Sequence, residues 1–223
     1  NTLNVKDRGY VYIKNHVNLY NIYNTGGIGG VTKGITISFK LTAFSIYKNG
    51  IGADNSYTIL DFRYNHLINP KSSEDSPIIV KLIRQNNESQ TYNILFKIGN
   101  ETNEKIINNI NLSYLTHVSW TISENNTWQI YLNGTTDPSK THSSSFSIKN
   151  VFYTDKYIGK RFELNDGDWD TANMYISDFK IYNKVLNQNQ INSCIINVHT
   201  NSFNSLVLWY KMDTIINNEL ENQ

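Results

Sequence analysis

Residues 115–134, LTHVSWTISENNTWQIYLNG, constrain the fold more than any other part of the chain. Two runs of alternating character flank the polar break Ser123-Glu124-Asn125-Asn126, the arrangement of a β-hairpin with a short loop. Side chains in a strand alternate with period two, so Val118, Trp120 and Ile122 take one face and His117, Ser119 and Thr121 the other. On the second run Trp128, Ile130 and Leu132 share a face opposite Gln129 and Tyr131. Two indoles on one face commit that face to a core. Asn133-Gly134, a pair that tolerates positive φ, then ends the run in a tight turn.

The same kind of signal recurs along the chain. GYVYIK (9–14) and GITISFKL (34–41) read as strands. In the second, Ile35, Ile37, Phe39 and Leu41 alternate with Thr36, Ser38 and Lys40, which predicts one buried and one solvated face. YTILDFRY (57–64) sets Tyr57, Ile59 and Asp61 against Thr58, Leu60 and Phe62. IIVKLIR (78–84) and TYNILFKIG (91–99) flank a polar turn and predict a second hairpin. A strand follows near 156–160. MYISDFKIY (174–182) sets Tyr175, Ser177, Phe179 and Ile181 against Met174, Ile176, Asp178 and Lys180, and SLVLWYKM (205–212) is the last strand. Segment 69–77, with two of the three prolines, reads as a loop, 100–111 as a polar tract and 137–146 as an exposed loop. NTGGIGGVTKG (24–34) leads into a β-branched strand and not a helix, so it is a surface loop and not a phosphate cradle. Leu186, Ile191, Ile195 and Ile196 are spaced for a short helix seated against a sheet. Strands throughout, with turns at short intervals, predict an all-β, two-sheet antiparallel β-sandwich with one short helix near the C-terminus.

Length and charge narrow the possibilities. A chain of 223 residues suits one large β domain, 1–223, that needs no disulfide staples. The net charge of +1 gives no electrostatic case for nucleic acid or an anionic membrane. No apolar run reaches the ~18 residues of a membrane span, so no membrane insertion is expected. The single Cys194 lies in an apolar helical stretch and reads as a buried thiol. The chain opens at Asn1, as an excised fragment would. Asn87, Asn100, Asn111, Asn125 and Asn133 open N-glycosylation sequons. With 34 Asn, 19 Ser and 18 Thr in 223 residues, chance alone gives about six such matches, so the sequons are no evidence of secretion.

THVSWTISENNTWQIYLNG, together with YIGKRF (157–162) and MYISDFKIYNKVLNQNQI (174–191), resembles the concanavalin A-like lectin and laminin G-like domains. In that family a Trp/His strand, a polar turn and a "YxNG" strand end precede a closing "iG … dDfriY … L" block. Tyr175 and Ile176 stand where the family often has Gly, and Gln190 where it usually has Glu. The resemblance covers most of residues 9–196 and implies jelly-roll connectivity. It does not choose among lectins, glycosidases, adhesion modules and toxin receptor-binding halves. The toxin class normally places a second β domain after the sandwich. In multi-repeat relatives a segment like LVLWYKMD opens the next domain, so 206–223 could start a following repeat.

Three constellations bear on chemistry. Residues 163–170, ELNDGDWD, form the densest acidic cluster. Its carboxylates Asp166, Asp168 and Asp170, with Asp75 as a further ligand, suit Ca²⁺ in a shallow site of the kind lectin-like domains often carry. Thr171 and Ser177 replace the Gly and Glu that an EF-hand needs, and a solvated acidic loop is the plain alternative. Trp169, set among Asp166, Asp168 and Asp170, suits stacking on a sugar ring with carboxylates bonding its hydroxyls; Tyr20, Tyr23 and Tyr47 are weaker candidates. For catalysis, glycosidases of this fold use Glu-x-Asp-x-Glu on one strand. The nearest run here, Asp166/Asp168/Asp170, has no Glu and lies outside a strand. His117 reads as a satisfied structural histidine. The expectation is a non-enzymatic recognition module of an extracellular or virion-surface protein, binding a glycan, glycoprotein or neighbouring protein domain through end loops. Its rivals are a structural or assembly module of a surface or capsid protein, and a divergent glycoside hydrolase.

Overall fold

The structure, a computed structural model, describes residues 3–5, 11–13, 34–43, 56–63, 77–84, 91–99, 103–136, 140–144, 148, 155–159, 174–196, 205–210, 215–216 and 219–220. Sheet one runs in the order β1 (Leu3–Val5), β12 (Met174–Tyr182), β3 (Gly34–Ala43), β8 (Thr116–Ser123), β9 (Thr127–Leu132), β10 (Thr141–Ser143), with β13 (Leu206–Tyr210) also on β12. Sheet two runs β2 (Val11–Tyr12), β11 (Asp155–Ile158), β4 (Ser56–Arg63), β5 (Ile78–Arg84), β6 (Thr91–Ile98), β7 (Glu104–Asn111). The pairings within both sheets are antiparallel. A separate ribbon pairs β14 (Ile215–Ile216) with β15 (Glu219–Leu220), and the helix α1 spans Gln188–Ile195. The chain crosses repeatedly from one sheet to the other, giving the all-β jelly-roll sandwich with one short helix.

The predicted hairpin is β8–β9, in the register Val118↔Leu132, Trp120↔Ile130, Ile122↔Trp128. Its apolar face is the centre of the core. Trp120 stands edge-on to Phe96 of sheet two at 5.3 Å and to Trp128 at 5.1 Å, so one indole links both sheets. The loop closes because Asn126 accepts φ +59° and the Ser123 hydroxyl accepts from Thr127 N at 3.0 Å. After β9 Asn133 behaves as one more strand residue: its side-chain Oδ1 accepts from His117 N while its backbone N donates to His117 O, both at 2.8 Å.

Simple alternation misplaces side chains on two strands, each time at a bulge. On β4 the register shifts between Thr58 and Leu60, so Tyr57 and Ile59 join Leu60 and Phe62 at the core, and Asp61 alone of the expected set faces out. On β12 it shifts between Ser177 and Lys180, with Asp178 at φ +55°. The extra residue resets the parity: Met174 and Ile176 before it and Phe179 and Ile181 after it all point into the core. Two segments read as irregular are edge strands. The tract 100–111 contains β7, where Ile107 joins the core and Ile110 packs against it, and 137–146 contains the three-residue β10. Edge strands with a solvated face carry little periodic signal.

The helix begins as expected from local chemistry. Asn187 caps it by accepting from Gln190 N at 3.0 Å, and Gln190 Oε1 accepts in return from Asn187 N at 3.0 Å, so the Gln at the usual Glu position completes a capping box. Leu186, Ile191 and Cys194 are buried, whereas Ile196 is exposed. The helix packs so closely on the hairpin end that a Cβ at Gly134, φ +78°, would lie 1.7 Å from Asn192 Oδ1 and 3.1 Å from Ile195 Cδ1. Gly134→Ala is expected to cost about 1–3 kcal/mol, seen as a lower urea midpoint at unchanged slope. Adding Asn192→Ala should relieve the collision and leave only the left-handed backbone cost of about 1–2 kcal/mol.

Candidate functional site

The outer face of sheet one is not solvated. At one end Tyr131, Tyr182, Leu186, Ile191, Cys194 and Leu206 form a second small core under α1. The buried Thr36 hydroxyl ties the helix lead-in to β3, donating to Lys184 O at 2.7 Å and accepting from Leu186 N at 3.0 Å. The Tyr182 hydroxyl donates to Cys194 Sγ at 3.2 Å, and burial pushes the Cys194 thiol up, so this cysteine is a packed thiol.

Beyond that core lies a charged network built on the β12 bulge. A regular strand could not present Ser177, Asp178 and Lys180 to one face; the extra residue does. The Asp178 carboxylate accepts from Lys180 Nζ, 2.9 Å from each of its oxygens. It also takes Lys40 Nζ at 3.1 Å and Trp209 Nε1 at 2.8 Å. Lys180 in turn lies 4.9 Å from the centroid of the Trp209 ring. Burial alone would raise the Asp178 carboxyl, but the bonds and charges of Lys180 and Lys40 outweigh it and hold it below the usual carboxylate range. The group is therefore an anion with its acceptor sites filled, clamping β3, β12 and β13 together.

Next to it on β8 sits His117, 3% exposed. Its Nε2 lies 2.9 Å from Ser38 Oγ, and Ser119 Oγ donates to Ser38 Oγ at 3.1 Å. Its Nδ1 is buried without a hydrogen-bond partner among the described residues, so the expected satisfied histidine is satisfied on one nitrogen only. Burial first, then the charges of Lys180 and Lys40, lower its pKa to about 4 against a smaller raising effect of Asp178, which leaves it neutral at pH 7. The Ser38–His117 contact has the spacing of a nucleophile and its base. Ser38 is only 1% exposed, however, and the Asp178 carboxylate is spent on cations, so the pair serves the sheet in this arrangement.

The ligand residues expected from sequence, Trp169, Asp166, Asp168 and Asp170, lie outside the described residues, as do Asp75, Tyr20, Tyr23 and Tyr47. Among the described residues no group of three or more His, Cys, Asp or Glu is placed to hold a metal ion. Sequence reasoning missed the Asp178 network, because alternation assigned Asp178 and Lys180 to the face of Met174 and Ile176. The available signal was the adjacent polar pair Ser177-Asp178 inside an apolar strand. Two exposed side chains stand out instead at one end of the sandwich: Tyr114 at 77% and Leu115 at 50%. Because Leu41 pairs with Thr116 and Ala43 with Met174, this is the end at which β12 starts, directly after residues 160–173.

Asp178→Asn would leave two ammonium groups around an amide, and is expected to destabilise the fold by about 3–5 kcal/mol in a denaturant melt. Lys40→Met, which leaves Lys180 and Trp209 on the carboxylate, should cost clearly less.

The model of the concanavalin A-like lectin/glucanases superfamily matches residues 52–192. No curated protein sequence matches the chain. Among solved structures, a tryptophan-to-alanine mutant of HCR/D is similar at 16% identity and TM-score 0.50, over 86% of this chain and 40% of that one. The Trypanosoma rangeli sialidase with 2,3-difluorosialic acid is similar at 13% and 0.48, over 71% of this chain and 22% of that one. A botulinum neurotoxin type C structure is similar at 23% and 0.47, over 75% and 36%. The chain thus spans well under half the length of each, and these likenesses concern fold alone. With the family match covering more than half of its 223 residues, the chain belongs to the concanavalin A-like lectin/glucanases superfamily.

Proposed function

We propose that this chain is a non-catalytic recognition module, exposed outside a cell or on a virion surface, that binds a glycan or glycoprotein at one end of the sandwich. The observation that carries the non-catalytic reading is the state of the two buried carboxylates among the described residues. Asp178 is held by Lys40, Lys180 and Trp209 on the outer face of sheet one. Asp61 is held by Arg63 at 2.7 Å on the outer face of sheet two. Packed sheets are about 10 Å apart between backbones, so two carboxylates on opposite outer faces do not reach one glycosidic bond.

The exposed Tyr114 and Leu115 support ligand capture at the end of the sandwich, since a bare aromatic ring there offers a stacking surface. The stretch that precedes β12 adds Trp169 between Asp168 and Asp170. In this reading Trp169 stacks on a sugar, Asp166, Asp168 and Asp170 bond its hydroxyls, and Ca²⁺ is held by the same carboxylates with Asp75.

A melt with EDTA and with Ca²⁺ tests the metal, and a glycan array run with Ca²⁺ tests the ligand. A metal at a hundredfold excess over Kd adds about 2.7 kcal/mol, so Ca²⁺ should raise the midpoint and Asp168→Ala should abolish the rise. Trp169→Ala should lose array binding without changing the melt. Full array binding in Trp169→Ala would remove that residue from the site. An array with no positive glycan would favour an assembly module instead.

A further inference from the structure

We propose that His117 is an acid sensor for sheet one: its protonation sets a cation against the Lys40–Asp178–Lys180 cluster and loosens the clamp that holds β13 on β12. The argument is one of hydrogen-bond direction and charge. A neutral imidazole has one N–H and one bare nitrogen, and the His117 ring has one hydrogen-bond partner among the described residues, the Ser38 hydroxyl at 2.9 Å. If the proton resides on Nδ1, protonation adds an N–H at Nε2, and Ser38, which then accepts from the imidazole as well as from Ser119, must turn its own hydrogen away from the ring. If it resides on Nε2, protonation adds a charged N–H at Nδ1, which meets no acceptor among the described residues. Either route places a cation in a buried site.

The neighbours oppose that cation. Facing His117 are Lys40 from β3 and Lys180 and Asp178 from β12, and the only anion among them is already bound by both lysines and the Trp209 indole. An imidazolium must compete for Asp178 or push the ammonium groups off it. Lys180 is the cross-strand partner of Trp209, so displacing it acts directly on the β12–β13 pairing. Among the described residues, Tyr131 from β9, Tyr182 from β12 and Cys194 from α1 also belong to this face; burial raises their pKa values, so they stay neutral in the relevant range.

The sign follows from linkage. The folded-state value of about 4 lies below the ordinary 6.5, so the stabilisation is full above pH 6.5 and is lost as pH falls from 6.5 to 4. The Asp178 contribution is lost at lower pH, below the ordinary carboxylate value, which separates the two. His142 is also lowered, by burial and Lys105, but sits on β10 away from the clamp and is the control.

Hydrogen exchange of the whole chain at pH 7 and pH 5, corrected for intrinsic rates, tests this. Opening of 174–182 and 205–210 is expected to rise about twentyfold at pH 5, with 78–84 and 91–98 of sheet two unchanged. His117→Gln should abolish the rise and His142→Gln should not. Lys40→Met, which removes one opposing charge, should reduce it and serves if His117→Gln does not fold. No rise in the wild type, an equal rise in sheet two, or an unaltered rise in both His117→Gln and Lys40→Met would each overturn the proposal.

Discussion

Strand β3 is buried on both faces, and much of the architecture answers that constraint. Its inward row, Ile35, Ile37, Phe39 and Leu41, meets sheet two, as an antiparallel sandwich requires. Its outward row, Thr36, Ser38 and Thr42, is equally out of water and polar. Buried polar groups cost free energy unless paired, so each must find a partner inside the protein. Thr36 finds the helix lead-in, Thr42 the carbonyl of Leu112 at 2.8 Å, and Ser38 the imidazole of His117. The residue types on this row therefore describe what lies over sheet one as much as the strand itself.

The bulge at Asp178 solves the hardest part of that problem. Lys40 brings a charge onto the half-buried end of the row, and a carboxylate is the natural answer. Without the bulge, the residue after Ser177 would point into the apolar core beside Ile176. The left-handed backbone at Asp178 turns it outward, where it meets two ammonium groups and an indole N–H. Conformational strain at one residue is offset by a saturated ion cluster that joins three strands. A cluster of this kind gives little net stability over apolar packing but strongly penalises any register that breaks it.

This division of labour fits a fold reused for many purposes. The sandwich spends the Asp178 charge on holding sheet one together, and in folds generally binding residues fall on the strand ends and loops that such a scaffold positions. Membership of the lectin/glucanases superfamily describes the scaffold, and the chemistry of individual side chains has to supply the function. Neutral His117 beside a filled carboxylate shows why motif spacing alone misleads: a serine next to a histidine becomes a catalytic pair only where substrate can reach it.

How much of this was legible in the chain depended on the range of the interaction that decides it. Alternation and turn residues within twenty positions specify the β8–β9 hairpin, with Trp120 and Trp128 inward, because strand parity and the Asn133-Gly134 turn are local. The two-sheet sandwich, the second hairpin and the short helix follow from the same short-range rules. Bulges on β4 and β12 were hidden, since one inserted residue reverses parity only relative to a partner strand. Edge strands β7 and β10 were hidden because their pairing lies in a neighbour and not in their own pattern. The Asp178 network joins residues 40, 178, 180 and 209, drawn from three strands, and only the packed sheet brings them within hydrogen-bond reach. By itself the sequence determined the fold class, because hydrophobic periodicity is a property of neighbouring residues. The tertiary structure decided which polar side chains are buried, because desolvation depends on what covers a face.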